Sequence, residues 1–236
     1  MIYEWTDKER KRLDYWLDKG LCSGVGDQHE RCVMAAVRAA LDPSASIGDW
    51  VDCVHPLLRN VAIRLNDSPQ WESAESRSDG LRKLAIALPG TVGLSDARLR
   101  EGIVALGLSA ADRAVRVDAA AALKAAGLTD SAARLQGLPP LVDAAAARAA
   151  YAAAGAAYAA ADAAADAAGA AAYAARAAYA AYAADAADAA AYAASAADAA
   201  YAADAAYAAA GAADAEAPLR AFATGLAALI HKLHKH

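Results

Sequence analysis

Alanine sets the terms on which this chain can fold. Between Asp143 and Ala215, 51 of 73 residues are alanine. Alanine is the strongest helix former, and its methyl side chain lets neighbouring helices approach closely. An unbroken rod of this length would reach ~110 Å at 1.5 Å per residue. A chain of this size is expected to fold the rod, with Gly155, Gly169 and Gly211 as break points. Up to Tyr173 the residues other than alanine recur about every 3.6 positions, which draws a straight stripe on one helix face. Beyond it the interval falls to about 3.2, and the stripe winds round the surface. The expected product is a helical hairpin or bundle. Of the chain's 10 tyrosines, 8 lie in this tract. Tyr173, Tyr179, Tyr182, Tyr192, Tyr201 and Tyr207 offer wide aromatic area at low entropy cost, as a partner-binding surface does. The same rings also suit locking alanine helices to one another.

The residues ahead of the tract read as short helices. Thr6-Asp7-Lys8-Glu9 is a capping box, the apolar stripe Leu13, Trp16, Leu17 follows, and Gly20 stops the helix. A second helix is expected from Glu30 to Leu41, ended by Asp42-Pro43, and a third from Pro56 through Leu65. Gly80 to Leu88 and Ser95 to Leu106 are amphipathic. Ser109, with Asp112 at N3, is expected to cap the next helix, which Gly127 ends, and a short helix follows from Asp130 to Leu135. No useful length alternates with period two. Leu219, Phe222, Leu226, Leu229, Ile230 and Leu233 share one face of a C-terminal helix over 218–234. The fold class is therefore all-α, with a helical N-terminal domain over 1–140 and an alanine-rich region over 141–236.

Charge and cysteine usage narrow the function. Formal charge is -5. Residues 1–142 are close to neutral, while the tract carries 8 Asp against 2 Arg. A strongly basic domain, the electrostatic footprint of extended nucleic-acid binding, is missing. The start of the chain turns to charge directly after Trp5, unlike a secretory signal, and no long stretch is both apolar and uncharged. The chain has 3 cysteines, an odd number that points to a reducing compartment and thiols rather than a disulfide frame. A cytoplasmic protein without membrane contact is expected.

Three constellations carry chemistry. Cys22 or Cys32 with His55, oriented by Asp52 or Asp27, has the residue types of a thiol–imidazole pair. Their spacing lacks the paired cysteines of a zinc site, so neither a metal nor another cofactor is expected. The plainer reading makes Cys32 a small buried apolar residue and His55 a helix cap. Gly24 and Gly26, in a loop ahead of a helix, could present amides to a phosphate or form a turn. Arg59, Arg64, Arg82 and Lys83, flanked by Trp50 and Trp71, combine cationic groups with stacking indoles. They would hold a small anionic ligand, or else cover and fill the core. His231, His234 and His236 form a basic end that suits a helix C-terminus.

The run Gly20-Leu21-Cys22-Ser23-Gly24-Val25-Gly26-Asp27, with Cys32-Val33-Met34-Ala35-Ala36-Val37, Asp52-Cys53-Val54-His55-Pro56, Ile63-Arg64-Leu65-Asn66-Asp67, Trp71 and Gly80 to Ala87, resembles an uncharacterised bacterial and phage protein family. Many of its members end in a similar tract of alanine with Tyr, Asp and Ser, and such tracts also resemble those of proteins described as immunity proteins. The resemblance implies no established activity. It implies glutamate where this chain has Met34, so any acid–base work done by that carboxylate is lost here. The leading expectation is a non-catalytic phage-type binding protein that captures a host protein or a small nucleotide-like signal, in an immunity or anti-defence role. A cysteine/histidine-dependent hydrolase and a structural homo-oligomer joined through the alanine helices are the alternatives.

Overall fold

The computed structural model describes residues 3–46 apart from 25 and 28, residues 51–160, and residues 216–235. Trp50, the six tract tyrosines named above, Gly169, Gly211 and His236 lie outside the described residues. Every regular element among the described residues is helical; the extended contacts are isolated bridges, Leu21 with Arg31 and Gly26 with Arg31. The fold is all-α. Among the described residues no helix is long and apolar enough to cross a membrane.

The chain divides into two compact units, Met1–Leu99 with Ala223–His236, and Arg100–Phe222. In the first, α1 (Asp7–Asp18) starts on the expected capping box: Glu9 N–H donates to Thr6 Oγ1 at 3.3 Å and Thr6 N–H to Glu9 Oε2 at 2.8 Å. Leu13 and Leu17 are buried. Gly20, at φ 88°, turns the chain so tightly that a Cβ there would meet Ala74 Cβ at 2.9 Å. Helix α2 (Val33–Leu41) begins later than Glu30 because the chain before it is otherwise engaged. Asp27 Oδ1 accepts the amides of His29 and Glu30 at 2.6 and 2.9 Å, and Cys32 becomes the cap. Helix α3 (Pro56–Asn66) has proline in its first turn, where no amide partner is lost. Helix α4 (Ala74–Ala87) begins well ahead of Gly80. Ser73 and Ser76 bond reciprocally, with Ser76 N–H on Ser73 Oγ at 3.0 Å and Ser73 N–H on Ser76 Oγ at 3.1 Å. This is a capping box built without a carboxylate. Helix α1 packs on α2 and α4, and α3 packs on both of these. Leu58, Leu65, Leu81, Leu84 and Leu88 fill the core, each worth about 1.5–3 kcal/mol on full burial. The C-terminal helix (Ala217–His234) contributes Leu226 and Ile230 to the buried set.

The second unit departs from the expected helix break at Ser109. Helix α5 (Asp96–Arg113) runs on past it, through a π-helical turn at Ala114–Ala119, into α6 (Ala120–Ala125). Asp112 serves as a tertiary tie rather than a cap: its Oδ1 accepts Leu141 N–H at 3.0 Å and pairs with Arg116 at 3.2 Å. Gly127, at φ 81°, ends α6 as expected. Helix α7 (Thr129–Gln136) packs on α6, and α8 (Ala144–Ala160) packs on α7. Helix α8 runs straight through Gly155, one of the expected break points. It buries Ala147, Ala150, Ala154 and Ala157, spaced three and four apart on one stripe. Leu108, Val115, Leu123 and Leu135 complete this core. The π-helical turn carries a buried carboxylate: Asp118 is 4% exposed, its Oδ2 has no hydrogen-bond donor, and the guanidinium of half-exposed Arg113 lies 3.6 Å away.

Candidate functional site

The structure brings part of the expected set together around one side chain, Asn66. Asn66 is fully buried at the C-terminal end of α3. Its Oδ1 accepts Val33 N–H at 3.0 Å, and its Nδ2 donates to the Cys22 carbonyl at 2.8 Å and to Asp67 Oδ1 at 2.9 Å. The Gly24 amide also donates to Asp67 Oδ1, at 2.8 Å. One amide that the loop would offer a phosphate is thus turned to a carboxylate of the chain itself. Gly24 and Gly26 adopt φ of 75° and 79°, which is why glycine is needed there. Cys32 caps α2, its Sγ accepting Ala35 N–H at 3.5 Å. Burial pushes both the Cys22 and the Cys32 thiol above the ordinary range, the reverse of an activated nucleophile.

His55 is not brought to these cysteines. It caps the N-terminal end of α3, and α3 has 11 residues, which puts the cysteine cluster about 16 Å away at the other end. Both ring nitrogens are engaged: Nδ1 accepts Leu57 N–H at 3.2 Å, and Nε2–H donates to Asp96 Oδ1 at 2.7 Å. The backbone N–H of His55 donates to Thr91 Oγ1 at 2.9 Å. Replacing His55 by alanine should therefore cost about 1–2 kcal/mol, read as a lower urea midpoint. His55→Asn, which keeps a cap acceptor, should recover part of it. Asp52 is exposed in the turn before His55. Among the described residues no three His, Cys, Asp or Glu side chains gather as a metal site requires.

The arginine–tryptophan set separates too. Trp71 is buried and donates from Nε1 to the Leu65 carbonyl at 2.8 Å, closing the end of α3. Arg82 bridges α4 to α1, with Asp14 at 3.0 Å and Asp18 at 2.6 Å. Arg59 is half-buried and Arg64 exposed on α3. Lys83, the neighbour of Arg82, faces elsewhere, and it leads to a cationic concavity of the first unit.

That concavity is a cleft of about 570 Å³ between α4 and the C-terminal helix, lined by Lys83, Ile86, Thr224, Ala227, Ala228, His231, Lys232 and Lys235. Ile86, Ala227 and Ala228 supply an apolar floor, and the lysines and His231 its rim. Among the described residues no carboxylate lines it. Among the described residues Lys83, Lys232 and Lys235 make no ion pair. Within its own helix the basic end complements the dipole; its pairing with Lys83 comes from a helix far away in the chain. A larger concavity of about 870 Å³ in the second unit is lined by residues of mixed charge, including Arg100, Glu101, Asp112 and Asp143. No protein-family model, curated protein or solved structure matches the chain.

Proposed function

We propose that the chain is a non-catalytic binding protein that captures a small, nucleotide-like anion in the cleft of Lys83, Thr224, His231, Lys232 and Lys235. The observation behind this reading is a rim of three lysines and a histidine around an apolar floor, with no carboxylate among the described residues that line it. Such a floor takes a flat apolar body, and the rim takes its anionic end. Lysines act as point charges rather than as bidentate forks, which suits a phosphate free to rotate. The volume lies within the range of small-molecule sites. Within the bacterial and phage family that the sequence resembles, capture of this kind would withdraw a signalling nucleotide and leave it unconverted.

Isothermal titration against AMP, ADP, ATP and cyclic dinucleotides is the direct test. At least one should bind, more weakly as salt rises. The double charge reversal Lys83→Glu with Lys232→Glu should weaken it tenfold or more, about 1.4 kcal/mol, with helix content unchanged by circular dichroism. Absence of heat with the whole panel, or an affinity indifferent to the double variant, sinks the reading.

A further inference from the structure

Cys22 and Cys32 stand ten positions apart in the chain and next to each other in space. Leu21 and Arg31 form a parallel bridge, and Cys22 N–H donates to the Arg31 carbonyl at 3.0 Å. Cys22 and Cys32 each follow that isolated bridge by one residue, and the Cys32 thiol is near enough to act electrostatically on that of Cys22; segments paired in this way run about 5 Å apart. A disulfide needs Cα atoms within about 7 Å. Asn66 holds the two segments in place by binding the Cys22 carbonyl and the Val33 amide at once. Cys22 Sγ lies against the loop, 2.8 Å from the position a Cβ at Gly26 would take. Any larger residue at Gly26 would displace the sulfur. Cys22 is partly exposed and Cys32 buried, so a solvent oxidant meets Cys22 first and Cys32 is the resolving thiol.

We infer that Cys22 and Cys32 form a peroxide-driven, reversible disulfide that fastens the start of α2 to the glycine loop. The Cys22 thiolate attacks one oxygen of hydrogen peroxide. The O–O bond breaks, hydroxide leaves and takes a proton to become water, and Cys22 becomes a sulfenic acid. The Cys32 sulfur then attacks the Cys22 sulfur, the S–O bond breaks, and the hydroxyl leaves as water with the Cys32 proton. One peroxide is reduced to two waters as two thiols are oxidised to one disulfide. Burial holds both thiols in the protonated form, so the reaction is slow at neutral pH and quickens as pH rises toward 9.

Trypsin cuts after Lys19, Arg31 and Arg38, so the reduced protein yields separate peptides 20–31 and 32–38. After hydrogen peroxide treatment of the full chain at pH 8, a non-reducing digest should show these two peptides joined, and dithiothreitol should separate them. Serine at either position should abolish the link, and serine at Cys53 should leave it intact. The cross-linked protein should melt roughly 5–10 °C higher than the reduced one. Peptides linked through Cys53, or over-oxidation of Cys22 with Cys32 still a free thiol, would overturn the inference, and because wild-type protein gives the primary result, a poorly folding serine variant does not obscure it.

Discussion

Asn66→Ala should unfold the first unit at markedly lower urea, with a loss of about 3–5 kcal/mol. The side chain is wholly buried and satisfies two backbone groups from different segments, Val33 N–H and the Cys22 carbonyl, besides meeting Asp67. Alanine leaves both backbone groups short of a partner, and each such buried group costs about 1–3 kcal/mol. It also opens a cavity next to Val33 and Leu65. The loop of residues 21–31 would come loose from α3, and the two cysteines would lose their register. Equilibrium urea unfolding followed by far-UV circular dichroism measures this. A loss under about 1 kcal/mol would mean that water replaces Asn66 without penalty, and that the knot is ornamental.

Asp118→Asn should act in the opposite direction and stabilise the second unit by about 1–3 kcal/mol at neutral pH. The carboxylate is buried on the π-helical turn, its Oδ2 accepts no hydrogen bond, and its one cation, Arg113, sits 3.6 Å away and half in solvent. Burial raises the Asp118 pKa above the ordinary aspartate value of 3.8, against the lowering pull of Arg113. The folded state therefore holds a proton that the unfolded state has released, in the window between 3.8 and the raised value. There the native protein binds more protons, so this residue's contribution favours folding more strongly as pH falls and less as pH rises. Below 3.8 both states are protonated and the contribution is constant. The gain from Asp118→Asn should accordingly be largest at pH 7 and shrink toward pH 4. Paired urea titrations of the two proteins across that range isolate the effect from Glu9, Asp27, Asp42 and Glu75. Those carboxyls are held low and contribute in the other direction. A gain independent of pH would assign the effect to packing instead.

Local rules account for much of the first unit. The Thr6–Glu9 box, the stop at Gly20, proline at the start of α3 and the C-terminal amphipathic helix all depend on residues within a few positions, and the structure has each of them. What stayed hidden depends on distance. The late start of α2 follows from Asp27 taking two amides and from a bridge to Arg31, and neither leaves a periodic mark. The continuous helix through Ser109 and the π-helical turn follows from Asp112 being drawn to Leu141, a partner far along the chain. The site shows the same division. His55 as a helix cap and Cys32 as a small buried residue were both legible as the plain readings of those residues, and both are what the structure has. The companionship of Lys83 with Lys232 and Lys235 was not, because no local pattern couples α4 to a helix that follows the whole alanine tract.

The first unit is assembled from residues 1–99 and 223–236, and this has a consequence for biosynthesis. The ribosome delivers the N-terminal four helices early and the strip containing Leu226 and Ile230 only after the whole second unit. In between it releases a segment with an apolar centre of its own, free to close as soon as it emerges. The N-terminal helices must wait for residues 223–236 before the first unit is complete. Nascent chains halted shortly before residue 223 should thus be the form most prone to recruit chaperones.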